Sequence, residues 1–238
     1  MPRGRYRPKV QKDAPPVRAG PLMSQALRDL WRRPLLILVV LNLFLSAAWN
    51  AAGQDELMDL LLALIVTAAT IYVQIAVNLA ASSEDPGASG DAWFRAALTR
   101  RCFWRLVAVE IAVTALVAVG ALALVVGAIV VGGITSLAEP AVVLDRDGPI
   151  EAIRRSARMT RPARTPLTVI FGLLVLAPSL VGPAAALLGV AGTVLVVIGA
   201  ILLPISMAGT VALARAYVAL GGTPARASDG TPQPRLTA

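Results

Sequence analysis

Residues 106–144 form the stretch that most restricts what this chain can become: thirty-nine residues containing two charges, Glu110 and Glu139. A run that apolar is compatible with a hydrocarbon surrounding, and about twenty helical residues rising 1.5 Å each cross a bilayer core of about 30 Å. As one continuous helix the run would measure about 58 Å, close to two crossings. The flanking charge decides between one crossing and two, because basic residues accumulate on the cytoplasmic side. Upstream lie Arg95, Arg100, Arg101 and Arg105; downstream, GPIEAIRRSARMTRPARTP (148–166) carries five arginines and one glutamate. Both flanks stay on one side only if the run crosses twice, with a tight turn between Gly120 and Gly133, near Gly127.

The other apolar runs obey the same count. Residues 35–52 and 57–81 flank a short acidic linker, GQDE. Residues 167–220 carry one charge, Arg215, and contain Gly and Pro at 182, 183, 189 and 192. The expectation is an all-α, polytopic membrane protein of six transmembrane helices, at about 35–52, 57–81, 106–126, 128–144, 167–186 and 192–219. Pro204 lies inside the last, where membrane helices tolerate it. Up to residue 33 the chain has nine basic and two acidic residues, which places the N-terminus, and with six crossings the C-terminus, in the cytoplasm. A polar, Pro-rich arm at 1–20 and a tail at 221–238 read as disordered around a membrane domain at 21–220. The first apolar run lacks a clean cleavage site and reads as a retained anchor.

A short amphipathic segment precedes each pair of helices, making three hairpins each led by a cytoplasmic interfacial helix. LMSQALRDLWRR (22–33) aligns Leu22, Met23, Ala26, Leu27, Leu30 and Trp31. DAWFRAALTRRCFWR (91–105) aligns Trp93, Phe94, Ala97, Leu98 and Cys102, and PIEAIRRSARM (149–159) aligns Ile150, Ile153 and Ala157. Spacings of three and four put each set on one stripe with arginines beside it. Ala26-Leu27-Arg28, Ala97-Leu98-Thr99 and Ala152-Ile153-Arg154 recur at similar places, so the three units read as copies of one motif. In the third, Asp147 is suited to cap a helix that Pro149 starts, with Pro162 and Pro166 ending it.

Composition narrows the function. The chain is 57% hydrophobic and 15% charged, with mean hydropathy +0.72, beyond the usual range of soluble domains. It has no histidine and a single cysteine, Cys102, which excludes histidine bases, histidine metal sites, intrachain disulfides and cysteine zinc sites. No phosphate-cradling loop and no catalytic constellation is visible, so the expectation is a non-enzymatic protein without cofactors. The net charge of +8 is almost entirely arginine. These arginines border apolar runs and match anionic lipid headgroups rather than nucleic acid.

Polar groups within the spans are the candidate functional residues, because each is costly there. Glu110, Glu139 and Arg215 fall at similar depth, and a Glu139–Arg215 or Glu110–Arg215 ion pair would neutralise them; each can instead snorkel to the interface. Gln74 and Asn78, four apart on one helix, either bond to neighbouring helices or line a polar path. Arg154, Arg155, Arg158 and Arg161 are the expected headgroup contacts.

Pro140-Ala141-Val142-Val143-Leu144-Asp145, then Gly148 to Ser156, then Thr160-Arg161 carry a family likeness over about 40 residues. This pattern resembles the membrane domain of some bacterial glycerophosphoryl diester phosphodiesterases and of related free-standing six-helix proteins. Ala157 stands where that family often has Trp, and Tyr217-Val-Ala-Leu-Gly where it often has Tyr-x-Asp-Leu-Arg. The phosphodiesterase activity belongs to a separate soluble barrel and is not implied. The cytoplasmic loop of ABC-importer permeases begins like Glu151-Ala152-Ile153, but its Gly is Ala157 here and its terminal Pro is missing after Leu167-Thr168-Val169-Ile170.

The resulting expectation is a bacterial inner-membrane scaffold or envelope-maintenance protein engaging anionic lipid or a protein partner through its basic cytoplasmic face. The alternative is a transporter or ABC-permease-like subunit. The two differ in one observable. A scaffold pairs Gln74 and Asn78 against neighbouring helices in a closed bundle, whereas a transporter has them line a hydrated cavity.

Overall fold

A computed structural model describes residues 18–31, 35–38, 40, 56–83, 90–99, 102–122, 124–178, 181 and 192–225. Its helices are α1 (Ala19–Leu30), α2 (Glu56–Ala81), α3 (Gly90–Thr99), α4 (Phe103–Leu122), α5 (Leu124–Thr135), α6 (Ala138–Asp145), α7 (Pro149–Met159), α8 (Arg164–Ile170) and α9 (Gly192–Ala219). A 3₁₀ turn (Arg161–Ala163) precedes α8, and a π-helical turn (Phe171–Leu176) continues it. No strand occurs among the described residues, and one isolated bridge joins Ser83 to Ala225. The expected span at 35–52 lies mostly outside the described residues, as do residues 179–180 and 182–186 of that at 167–186 and most of both expected tails.

Four stretches are long and apolar enough to cross a membrane: Leu64–Ala81, Phe103–Gly120, Val126–Asp145 and Ile201–Ala219. They match four of the six expected helices. Their outward faces are large aliphatic side chains with no protein cover: Ile65, Ile111, Val119, Val126 and Ile201 are each more than 60% exposed. So many uncovered apolar side chains would be untenable in water and suit lipid. Trp31 and Trp104, 79% and 78% exposed, are the ring type enriched where a bilayer meets water.

The long apolar run divides into two helices that lie against each other, α4 ending at Leu122 and α5 starting at Leu124, so Gly127 falls inside α5. Gly120 and Gly127 sit backbone to backbone there: a Cβ on Gly120 would lie 2.9 Å from the Gly127 carbonyl oxygen. The glycines serve the close approach of α4 and α5, so the turn falls between them. At the other end Arg105 Nη1 donates to the carbonyl of Arg146, 2.6 Å away, where a left-handed residue (φ 59°) terminates α6. Lipid supplies no hydrophobic force to press helices together, so close contact between small residues must do so. Gly133 abuts Thr168, Gly209 abuts Leu174 and Val175, and Ala138, Ala141, Ala208 and Ala212 are fully buried.

The short helices cluster with the arginines. In α3, Trp93, Ala96 and Ala97 are buried and Leu98 is exposed. In α7 the inward stripe is Ala152 and Ser156, while Ile150 is 67% exposed. The expected Ile150–Ile153–Ala157 stripe is therefore rotated, because only small side chains fit where α7 crosses the bundle. In α1, Ala26 and Leu30 face inward with Asp29, while Leu27 and Trp31 face out.

Asp29 explains how α1 is held. It is 2% exposed, and its carboxylate forms an ion pair with Arg215 of α9. Two charges removed from water are tolerable only together, and removing one partner of such a pair costs about 3–5 kcal/mol. Asp29→Asn or Arg215→Gln should each lower the thermal unfolding midpoint in nanodiscs substantially. The double variant should lose much less than the sum of the two. Additive losses would show that the pair is not coupled.

Candidate intramembrane polar site

Between these helices lies a cavity of about 200 Å³. From α2 it receives Gln74 and Asn78, and from α4 it receives Glu110. The junction of α5 and α6 adds Thr135, Ser136 and Glu139, and α9 adds Ser206 and Thr210. The π turn lines it with Phe171 and Val175. One extra residue in a helical turn shifts the register of the side chains beyond it, and such turns recur at functional sites. Asn78 is three residues, about 4.5 Å of rise, from the end of α2, and Glu110 is seven residues, about 10 Å, from the start of α4. The cavity therefore sits in the half of the bundle nearer the arginines.

Both intramembrane glutamates reach this space, but neither meets Arg215. The carboxyl groups of Glu110 and Glu139 lie within hydrogen-bonding reach of each other, and Arg215 is engaged by Asp29. The expected Glu–Arg215 pair is thus replaced by two different pairs. The rotation of α9 turns Ser206 and Thr210 to the cavity and Arg215 to α1.

Gln74 and Asn78 share a face, as their spacing requires. Asn78, fully buried, donates from Nδ2 to the Gln74 carbonyl at 3.0 Å, while its Oδ1 and the Glu110 Oε1 have no partner. The amide spends its donor on its own helix and leaves its acceptor to the cavity. The Asn78 amide therefore makes no bond to a neighbouring helix.

The wall at residues 135–137 is a helix break. Such breaks within a membrane need partners for the freed backbone groups. The Ser156 hydroxyl of α7 supplies them: it donates to the Ile134 carbonyl at 2.7 Å and accepts from the Leu137 N–H at 3.1 Å. Thr135 and Ser136 turn their hydroxyls back onto the carbonyls of Val131, Gly132 and Gly133. Pro140, in the first turn of α6, has no N–H to orphan.

Below the break, Asp145 joins three elements. It accepts from the Tyr217 hydroxyl of α9 and pairs with Arg155 of α7 at 2.7 Å. Arg155 also reaches Asp147 at 3.0 Å, and its guanidinium lies 5.8 Å from the centre of the Tyr217 ring. Burial opposes the Arg155 charge, but the surrounding groups, Asp147 and Asp145 among them, outweigh it and raise its pKa above the ordinary value. The four arginines expected at headgroups therefore divide. Arg154, Arg158 and Arg161 are exposed, with Arg158 near Glu151 at 3.6 Å, whereas Arg155 is an internal tie. Asp147 does not cap α7; Gly148 occupies that position without a side-chain bond, and the Asp147 carboxylate serves Arg155. Sequence reading missed Asp29, Asp145 and Ser156. Their one signal is that Asp29 and Asp145 are isolated acids at the basic ends of apolar runs.

The chain matches no protein-family model, no curated protein and no solved structure.

Ser156→Ala leaves a buried N–H and a buried carbonyl unpaired, a loss of about 1–3 kcal/mol. The expected outcome is a clear drop in thermal stability in nanodiscs. Ala157→Ser, on the half-exposed neighbour, should stay within about 0.5 kcal/mol of the parent. Equal effects of the two changes would show that the hydroxyl does not bridge the break.

Proposed function

We propose that the protein is a non-enzymatic, six-span protein of a bacterial inner membrane, built as three hairpins with both termini cytoplasmic, that takes up a small polar solute in its intramembrane cavity. The observation that carries this reading is the unpartnered Asn78 Oδ1 beside the Glu110–Glu139 pair, all lining one space. A closed scaffold has no use for a fully buried amide oxygen without a partner, because leaving it so costs about 1–3 kcal/mol. A site that waits for a ligand does.

Water access is the test. In a Cys102→Ala background, Ser206→Cys or Thr210→Cys should react with small hydrophilic thiol reagents in nanodiscs. Val211→Cys, fully buried on the same helix but absent from the cavity lining, should stay unreactive. Equal protection of all three positions would mean a sealed core and would remove the reading.

A second role is supported by the exposed face of α7 and the 3₁₀ turn after it, where Arg154, Arg158 and Arg161 stand with Ile150. Guanidinium groups around an aliphatic side chain suit an anionic lipid surface. Flotation of nanodisc-free, lipid-reconstituted protein should show a preference for anionic lipid that falls several-fold when all three arginines become Gln. An unchanged preference would count against this role.

A further inference from the structure

We infer that the ligand of this cavity is an inorganic cation, held by Glu110, Glu139 and Asn78, two of which turn a partnerless oxygen to the space. The inference rests on the water-accessible cavity proposed above and adds the class of ligand.

Eight of the lining side chains bear oxygen, Gln74, Ser206 and Thr210 among them as donors as well as acceptors. Asn78 has committed its N–H to the Gln74 carbonyl, so what remains is its carbonyl oxygen. Thr135 and Ser136 have committed their hydrogens to their own helix, so each also keeps lone pairs. With the two carboxyl groups, five side chains are left to act as acceptors. Hard cations take such oxygens, filling remaining positions with water, and a space of about 200 Å³ is larger than a bare ion. No Lys or Arg lines the cavity, so an anion would find no countercharge. The only acids in the lining are Glu110 and Glu139, so water would complete the shell of a bound ion.

Charge balance favours a cation. Two carboxyl groups in contact within a membrane cannot both be ionised without a countercharge. Among the described residues no other element supplies that countercharge. Toward the pair, α2 presents neutral Gln74 and Asn78, the π turn presents Phe171 and Val175, and α9 presents Ser206, Thr210 and Leu213. Arg215 belongs to Asp29. A bound cation supplies that countercharge.

Stabilisation by salt reads binding directly. Wild-type protein in nanodiscs would receive NaCl, MgCl2 or CaCl2, with N-methyl-D-glucamine chloride at matched ionic strength as the baseline. At least one inorganic salt should raise the thermal midpoint saturably above the baseline. Glu110→Gln and Glu139→Gln should abolish that shift or weaken apparent affinity at least tenfold, and Asn78→Ala should weaken it at least tenfold. Isothermal titration of the wild type with the same salts stands as a readout if a variant does not fold. No saturable stabilisation by any salt, or undiminished affinity in both Gln variants, would overturn the cation site. If Ser206→Cys still labels while no cation binds, the cavity stands with a neutral ligand; if labelling also fails, both readings fall.

Discussion

Hydrocarbon satisfies no hydrogen bond and solvates no charge, so each polar group between the helices must find its partner within the protein. That constraint accounts for most of the specific contacts in this chain. Arg215 meets Asp29, Tyr217 meets Asp145, and the hydroxyls of Thr135 and Ser136 return to their own helix. The break between α5 and α6 is closed by Ser156. Against so thorough a pairing, the free acceptors of Asn78 and Glu110 stand apart, and they stand in the same space.

The same bonds tie that space to the basic end. Ser156 lies on α7, whose outer face carries Arg154 and Arg158, and its hydroxyl grips the residues on either side of Thr135 and Ser136. The next turn of the bundle is fastened by Arg155 through Asp145 to Tyr217. A displacement of α7 against the lipid surface therefore strains the cavity wall directly, with no intervening side chain. The π turn opposite, with Phe171 seated where a Cβ on Gly132 would lie 1.9 Å from its ring, fixes the other wall by close packing. One wall is held by polar bonds and the other by shape.

How much of this was legible beforehand follows from what each signal measures. Hydrophobic run length reports the cost of exposure to water, a property of the segment alone, so the spans at 57–81, 106–126, 128–144 and 192–219 were readable to within a few residues. Glu110, Glu139, Gln74 and Asn78 were identifiable for the same reason, since a polar group in such a run is costly whatever its neighbours. Their pairing was not, because it depends on the rotation of α9 and α4 about their axes, and apolar runs without a polar face carry no signal for rotation. Arg215 pairs with Asp29 of α1 rather than with the glutamates, a partner that no feature of its own apolar run identifies. Gly127 was taken for a turn because glycine permits both a turn and a close approach, and the sequence does not distinguish them.

The distribution of acids bears on what the cavity can admit. Arginines gathered at one end of the bundle would, unscreened, raise a positive potential that repels cations from any opening there. In the structure that charge is trimmed where it lies nearest the bundle. Arg155 is held by two aspartates, Arg215 by Asp29, and Arg158 by Glu151. On α7 and after it, Arg154, Arg161 and Arg164 are exposed and point away from the core. Field strength falls within about a Debye length in physiological salt, about 8 Å, so charges facing solvent act on headgroups more than on a site buried about 10 Å inside. Neutralised arginines within and free arginines without keep the positive field of this end away from the Glu110–Glu139 pair.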